Sequence, residues 1–328
     1  MARYELEMRV AIRAVREAAL LTRSVAGGIT PEVLEKKDRS PVTLADFGGQ
    51  AIVCRALGEA FPADPIVGEE DAGDLSRPEQ AGMLARLVAE VGRIARGATA
   101  DDVLAWLDRG GASAYSDRFW TLDPIDGTKG FLRREQYAIS LALVEGGETV
   151  LGVLGCPNLG VEPGRPGARG ALFTAVRGEG ARRLPLDGEG PAAPIRVSLE
   201  ADPRRLRFCE SVEKEHSSHG DAARIAERLG IAAEPVRLDS QAKYAVVARG
   251  EAEAYLRLPK SADYVEKIWD HAGGAIVVEE AGGTVTDVMG RPLDFTRGRN
   301  LSENRGVVAS NGALHGALLS AIRDLGIA

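Results

Sequence analysis

The chain has 328 residues, enough for one large domain or two smaller ones sharing a cleft, and at 45% hydrophobic and 27% charged it reads as globular, not disordered. A net charge of −7, with no basic stripe carrying interleaved aromatics, argues against nonspecific nucleic-acid binding. No apolar run approaches a membrane span, and charges break up residues 1–9 where a secretory leader needs an apolar core, so a cytoplasmic protein without membrane partners is expected.

Leu6, Val10, Ile12, Val15, Ala19 and Leu20 recur at helical spacing and predict a helix from about Glu5 to Ala26. A polar loop from Glu35 to Pro41 follows, then a second helix from about Asp46 to Phe61. Pro65–Gly68 predicts a short buried strand that delivers Glu69, Glu70 and Asp71 at its end. Residues 76–110 form a helical insertion, with Pro78 opening one helix and Thr99–Asp102 capping another. Strands are predicted over Ala138–Glu145 and Thr149–Cys156, joined at Gly146-Gly147. An exposed loop over Pro157–Ala168 precedes a strand at Leu172–Val176 and a turn at Arg177–Gly180. The Pro-, Gly- and Ala-rich stretch 185–195 marks a domain boundary, giving domains 1–195 and 196–328. Beyond it lie predicted strands at Arg207–Ser211, Ala252–Leu258 and Gly306–Ser310. Helices are predicted at Asp221–Leu229 and Asp270–Ala281. The first half favours α+β and the second α/β.

Cys54, Cys156 and Cys209 fit neither a disulfide framework nor a zinc spacing, and buried free thiols are expected. The densest chemistry is Asp123-Pro124-Ile125-Asp126-Gly127-Thr128, after the strand-like Phe119–Leu122. A sharp turn there brings two carboxylates into one site, and hard divalent cations take such oxygen ligands. The competing reading is a polar turn in which Asp126 or Thr128 caps a helix. Asp46, the 69–71 cluster and Asp270 also end apolar segments, and carboxylates rarely point inward unless paired or liganding metal. Asp270 can likewise be read as a cap.

Three motifs carry a resemblance: residues 67–70, residues 123–128, and Trp269–Gly274 running into Glu280–Gly283. Together they resemble the lithium-sensitive, magnesium-dependent phosphatases of the inositol monophosphatase superfamily. Lys37–Thr43 with Asp46, Val212–His219, Leu238–Tyr244, Tyr255–Pro259 and the insertion before Asp123 are most similar to the 3'(2'),5'-bisphosphate nucleotidase branch. Glu215 departs from it, since relatives often have glycine there.

The resemblance implies a layered α-β-α-β-α sandwich of the α+β class, with the site between its halves. It implies two to three Mg²⁺ ions: one on Glu69, Asp123 and the Ile125 carbonyl, a second on Asp123, Asp126 and Asp270, and a third between Glu69 and Asp46. Thr128, oriented by Asp46, takes the proton of the attacking water, and the Gly127 and Thr128 amides hold phosphate. His216, Ser240, Lys243 and Arg257 hold the nucleotide, with His219 the rival of His216. No contact is assigned to Lys37, Lys129 or Lys267. The implied reaction removes the 3'-phosphate of 3'-phosphoadenosine 5'-phosphate, and its sulfated precursor is a second substrate. An inositol polyphosphate 1-phosphatase with the same metal site, or a nucleotide sensor without turnover, are the alternatives. A monomer or homodimer is expected.

Overall fold

The computed structural model describes residues 3–28, 40–164, 167, 169–188, 190–212, 219–259 and 264–327, with the side chains of 40–43, 74 and 219 excepted. Helices α1 (Glu5–Gly27) and α2 (Ser40–Ala60) pack on one face of a seven-stranded sheet. Its strands follow in chain order: β1 (Ile66–Gly68), β2 (Arg118–Asp126), β3 (Ala138–Glu145), β4 (Glu148–Gly160), β5 (Arg169–Val176), β6 (Gly180–Pro185) and β7 (Ala193–Pro194). β1 runs parallel to β2 and the remaining neighbours are antiparallel. Between β1 and β2 stand α3 (Ala81–Gly92) and α4 (Ala100–Asp108). α4 begins at the expected capping box of Thr99 with Asp102. Short α5 (Thr128–Leu132) follows β2.

A second sheet has the order β11 (Thr284–Thr286), β12 (Val307–Ser310), β10 (Ala254–Arg257), β8 (Phe208–Glu210) and β9 (Val236–Arg237). Helices α7 (Ala242–Ala248) and α8 (Ala272–Glu280) fill the space between the sheets. The far face of the second sheet is covered by α6 (His219–Leu229) and α9 (His315–Asp324). The two-residue period of strands explains this layering. Leu172 enters the core under α1, whereas Phe173 and Ala175 face α7 and α8. On the second sheet Val307 and Ala309 face the central helices and Val308 faces α6 and α9. The α-β-α-β-α layering and the α+β class agree with the sequence reading.

Several boundaries differ from expectation. α2 begins at Ser40, six residues early, because Pro41 falls in the first turn, where a missing N–H costs no hydrogen bond. Pro157–Gly160 is no exposed loop but the end of β4, which resumes pairing with β5 after a bulge. Pro78 opens a 3₁₀ turn at the foot of α3, not the helix itself. The strands over Arg207–Ser211 and Ala252–Leu258 shorten to β8 and β10, and the helix at Asp270–Ala281 to α8. Strands β6, β7, β9 and β11 and helices α7 and α9 had no counterpart in the sequence reading. The predicted hairpin at Gly146-Gly147 is present, with φ of 59° and 82° at the two glycines. All three cysteines are buried free thiols, as expected. Among the described residues no helix is long and apolar enough to cross a membrane.

Candidate functional site

The expected sharp turn between Asp123 and Asp126 is instead a β-bulge. Asp123 lies opposite Ser140 and Asp126 opposite Ala138, three steps on β2 against two on β3. In a regular strand, side chains three positions apart point to opposite faces. The extra residue returns both carboxylates to the same side. Both line one cavity of about 680 Å³ between the sheets, together with Ile125, Gly127 and Thr128. Gly127 has φ 88°, a left-handed conformation that suits glycine, and no side chain caps α5 behind it. The capping alternative for Asp126 and Thr128 is therefore not realised.

Asp46 sits in the second turn of α2, only 7% exposed, and lines the same cavity. One turn further along α2, Gln50 donates to the Glu70 carbonyl at 2.8 Å and accepts from the Glu70 N–H at 3.0 Å. The Glu69 N–H donates to the Leu122 carbonyl at 3.1 Å. The acidic loop after β1 is thus pinned to α2 and β2. Asp270 ends the 3₁₀ turn Ile268–Asp270 and points into the cavity; α8 starts two residues later with no side-chain cap, so Asp270 is not a cap either. Among the described residues no hydrogen bond joins Asp46 to Thr128, although both face the cavity.

The carboxylates crowd one another. Burial, then Glu69, Asp126 and Asp270, hold Asp123 well above the usual carboxylate range. Desolvation by the surrounding protein, then Glu70 and Asp270, push Glu69 up to about 8, although it opens onto the cleft's solvent. Burial chiefly raises Asp270 to about 6. Asp46 is raised by burial and by Glu70 and Glu69. Asp123 Oδ1 is buried with no hydrogen-bond partner. A buried, partnerless oxygen among mutually repelling carboxylates is what a bound divalent cation satisfies, so these residues fit Mg²⁺. Glu266, Asp270 and His271 also bring one ligand-type atom each within 4.8 Å of the others. Two of these three groups already have partners. His271 Nε2 lies 3.1 Å from Glu266 Oε2, His271 Nδ1 lies 2.7 Å from the Tyr244 hydroxyl, and Arg257 Nε donates to Glu266 Oε1 at 3.3 Å.

The same cavity also holds cations. Lys243, 4% exposed, has its ammonium 5.0 Å from the Tyr255 ring centroid, and burial lowers its pKa. Arg257 donates to the Tyr264 hydroxyl at 3.2 Å. Ser240 adopts φ 71°, rare for a residue with a Cβ, and its hydroxyl accepts from the Ala242 N–H at 3.1 Å. Ser240, Lys243 and Arg257 all line the cavity. His216 lies outside the described residues, as do Lys37–Arg39; His219 opens α6.

Sequence reasoning missed Gln241, His271, Glu266 and Arg299. Gln241 and His271 stood inside motifs already singled out, but only the fold shows their contacts. Gln241 is 2% exposed; its backbone N–H donates to Asp126, and its side chain donates to the Trp269 carbonyl at 2.8 Å. Its Oε1 accepts from Ser140 Oγ at 3.0 Å and from the Gly274 N–H at 3.1 Å.

This arrangement has relatives. Residues 4–326 match the model of the inositol monophosphatase family. A 3'(2'),5'-bisphosphate nucleotidase of Emericella nidulans is 42% identical, over 98% of this chain and 99% of its own. One from Schizosaccharomyces pombe is 44% identical, over 94% of this chain and 92% of its own. Among solved structures, Mycobacterium tuberculosis SuhB superposes with a TM-score of 0.65 at 20% identity, covering 100% of this chain and 99% of its own, which speaks to the fold. The bulged acidic strand, the carboxylates it gathers and a match along nearly the whole chain agree: this protein belongs to the inositol monophosphatase family.

Proposed function

We propose that this protein is a 3'(2'),5'-bisphosphate nucleotidase. It hydrolyses the 3'-phosphate of 3'-phosphoadenosine 5'-phosphate to AMP and inorganic phosphate, and accepts the 5'-phosphosulfate analogue as well. The observation that carries the reading is one cavity lined both by clustered carboxylates and by the cations Lys243 and Arg257. A substrate with two separated phosphates suits such a cavity: one beside the acidic cluster and its ions, the other against the cations. The relatives named for this activity support the choice of substrate.

The family is generally magnesium-dependent, and two to three Mg²⁺ ions are proposed here. Glu69, Asp123 and the Ile125 carbonyl would hold one, Asp123, Asp126 and Asp270 a second, and Glu69 with Asp46 a weaker third. Bound there, Mg²⁺ acidifies the attacking water and neutralises charge on the phosphoryl group and leaving oxygen. Thr128 takes the water's proton and Asp46, kept protonatable by burial, receives it. The Gly127 and Thr128 amides orient the 3'-phosphate. The water oxygen bonds to phosphorus as the P–O bond to the ribose breaks, and the released 3'-oxygen takes a proton from solvent water to become the hydroxyl of AMP. Ser240, Lys243, Arg257 and His216 (with His219 as the rival) hold the remaining nucleotide. The same reading divides the chain near residue 195 into two domains flanking the cleft. It takes the protein as cytoplasmic, monomeric or homodimeric, and free of nucleic-acid and membrane partners. Phosphate release from the adenosine bisphosphate, an inositol bisphosphate, inositol monophosphate and fructose bisphosphate, with Mg²⁺ and with added Li⁺, tests it. The nucleotide should be the best substrate, Li⁺ should inhibit, and Asp126→Asn should be inactive on all four. A preference for an inositol phosphate would overturn the assignment.

A further inference from the structure

Gln241 touches both carboxylate-bearing segments of the site from the wall that carries Ser240 and Lys243. Its backbone N–H reaches Asp126 on β2, and its side-chain amide reaches the carbonyl of Trp269, the residue before Asp270. The amide cannot rotate away, because Oε1 is held from β3 by Ser140 and from the start of α8 by the Gly274 N–H. The residue is 2% exposed, so water does not compete for these groups. The left-handed Ser240 just before it aims the Gln241 N–H at Asp126. Two stretches far apart in the chain, 126–140 and 269–274, are thereby fixed to one amide side chain and one peptide N–H.

We propose that Gln241 is a positioning residue that sets the separation of Asp126 and Asp270, and so the affinity of the cation they share. The inference rests on the metal reading above. Asp126 projects from a bulged strand and Asp270 from the end of a single 3₁₀ turn; the two elements pack together through Phe119, Ile268 and Trp269, while both carboxylates face the cavity. Gln241 spans them. It reaches the cation only through these groups and makes no contact with the reacting atoms.

The experiment uses the full chain and Mg²⁺ alone, without substrate. Mg²⁺ binding is followed by titration calorimetry and by the rise in thermal midpoint it produces, for the wild type, Gln241→Met and Ser140→Ala. Met keeps the length of the side chain and the peptide N–H but removes the donation to Trp269 and, with Oε1, the acceptor for Ser140 and the Gly274 N–H. Its Mg²⁺ affinity should fall by about 10- to 100-fold, the usual cost of losing a group that orients metal ligands. Phosphatase turnover at saturating Mg²⁺ should recover most of its wild-type value. Ser140→Ala loosens the same buried cluster but leaves the donation to Trp269 intact, and should shift Mg²⁺ affinity far less. Wild-type affinity in Gln241→Met would overturn the inference and leave the metal reading standing. So would losses in the two variants that merely track their losses of metal-free stability. A wild type that does not bind Mg²⁺ would bring down both.

Discussion

Arg299 donates from Nη2 to the Gly68 carbonyl at 2.7 Å, a contact between residues 231 positions apart. The same guanidinium lies 4.6 Å from the centroid of the Trp269 ring and donates from Nη1 to the Ala112 carbonyl at 3.3 Å. One side chain therefore ties the residue before Glu69 to the residue before Asp270. Arg299→Ala should cost about 2 kcal/mol in urea unfolding, the scale of a charge-assisted hydrogen bond with a cation–π contact. It should also weaken Mg²⁺ activation. A lysine at this position cannot make the paired donation and should not restore it. Unchanged Mg²⁺ activation in the alanine variant would count against the tie.

Metal-free stability should depend on pH in a direction set by the acidic cluster. Glu69 is raised to about 8 from 4.5, and Asp270 to about 6 from 3.8. A carboxyl group raised in the folded state stabilises it fully below its unfolded pKa, and that contribution is lost as pH rises through the folded value. In EDTA the protein should lose stability between about pH 4 and 8, and Mg²⁺ should restore it. The gain on adding Mg²⁺ should accordingly be larger at pH 8 than at pH 6. An equal or smaller gain at pH 8 would contradict the crowding of these groups.

The chain Tyr244–His271–Glu266–Arg257 predicts an effect on substrate binding at a distance. Tyr244→Phe removes the 2.7 Å contact with His271, at about 1–2 kcal/mol of stability. His271 then holds Glu266 less firmly, and Glu266 holds Arg257. The nucleotide's KM should rise with kcat little changed, the pattern expected when binding is weakened equally in ground and transition states. A fall in kcat at unchanged KM would place Tyr244 in a different role.

Gly127→Ala should be poorly tolerated. Its φ of 88° strains any residue with a Cβ by about 1–2 kcal/mol. The new methyl would also lie 2.8 Å from Ser240 Cβ, forcing the two cavity walls apart. Loss of both stability and turnover is expected, and a stable, fully active variant would mean the walls can separate freely.

The thiols of Cys54, Cys156 and Cys209 are each pushed up to about 12 by burial. A disulfide reagent at pH 8 should leave them unmodified until denaturant is added, then titrate all three. Rapid labelling of the native protein would show that a thiol-bearing region opens.

Much of this was legible in the sequence because its signals are local. β3 is a nearly continuous apolar run followed by two glycines, and its limits fall where that run ends. The carboxylates were found because Asp, Glu and Gly in fixed order need no knowledge of partners. Helix α7 was missed because all seven of its residues are buried, which erases the one-sided pattern that marks a surface helix. β6 was missed because only Ala181 on it is buried. The bulge that replaced the expected turn depends on pairing with β3, and the Gln241–Asp126 and Arg299–Gly68 contacts span more than a hundred residues, so no local pattern encodes them.

The first sheet pairs its strands in the order in which they are made, whereas Asp270 and Arg299 belong to the last fifth of the chain. As the polypeptide leaves the ribosome, Asp46, Glu69, Asp123 and Asp126 can assemble on a nearly complete sheet while the cavity still lacks its far wall. Until that wall docks, their charges remain hydrated and repel one another weakly. Closing the cavity is then the step that strips their water, and it should run faster when a divalent cation is present to take its place.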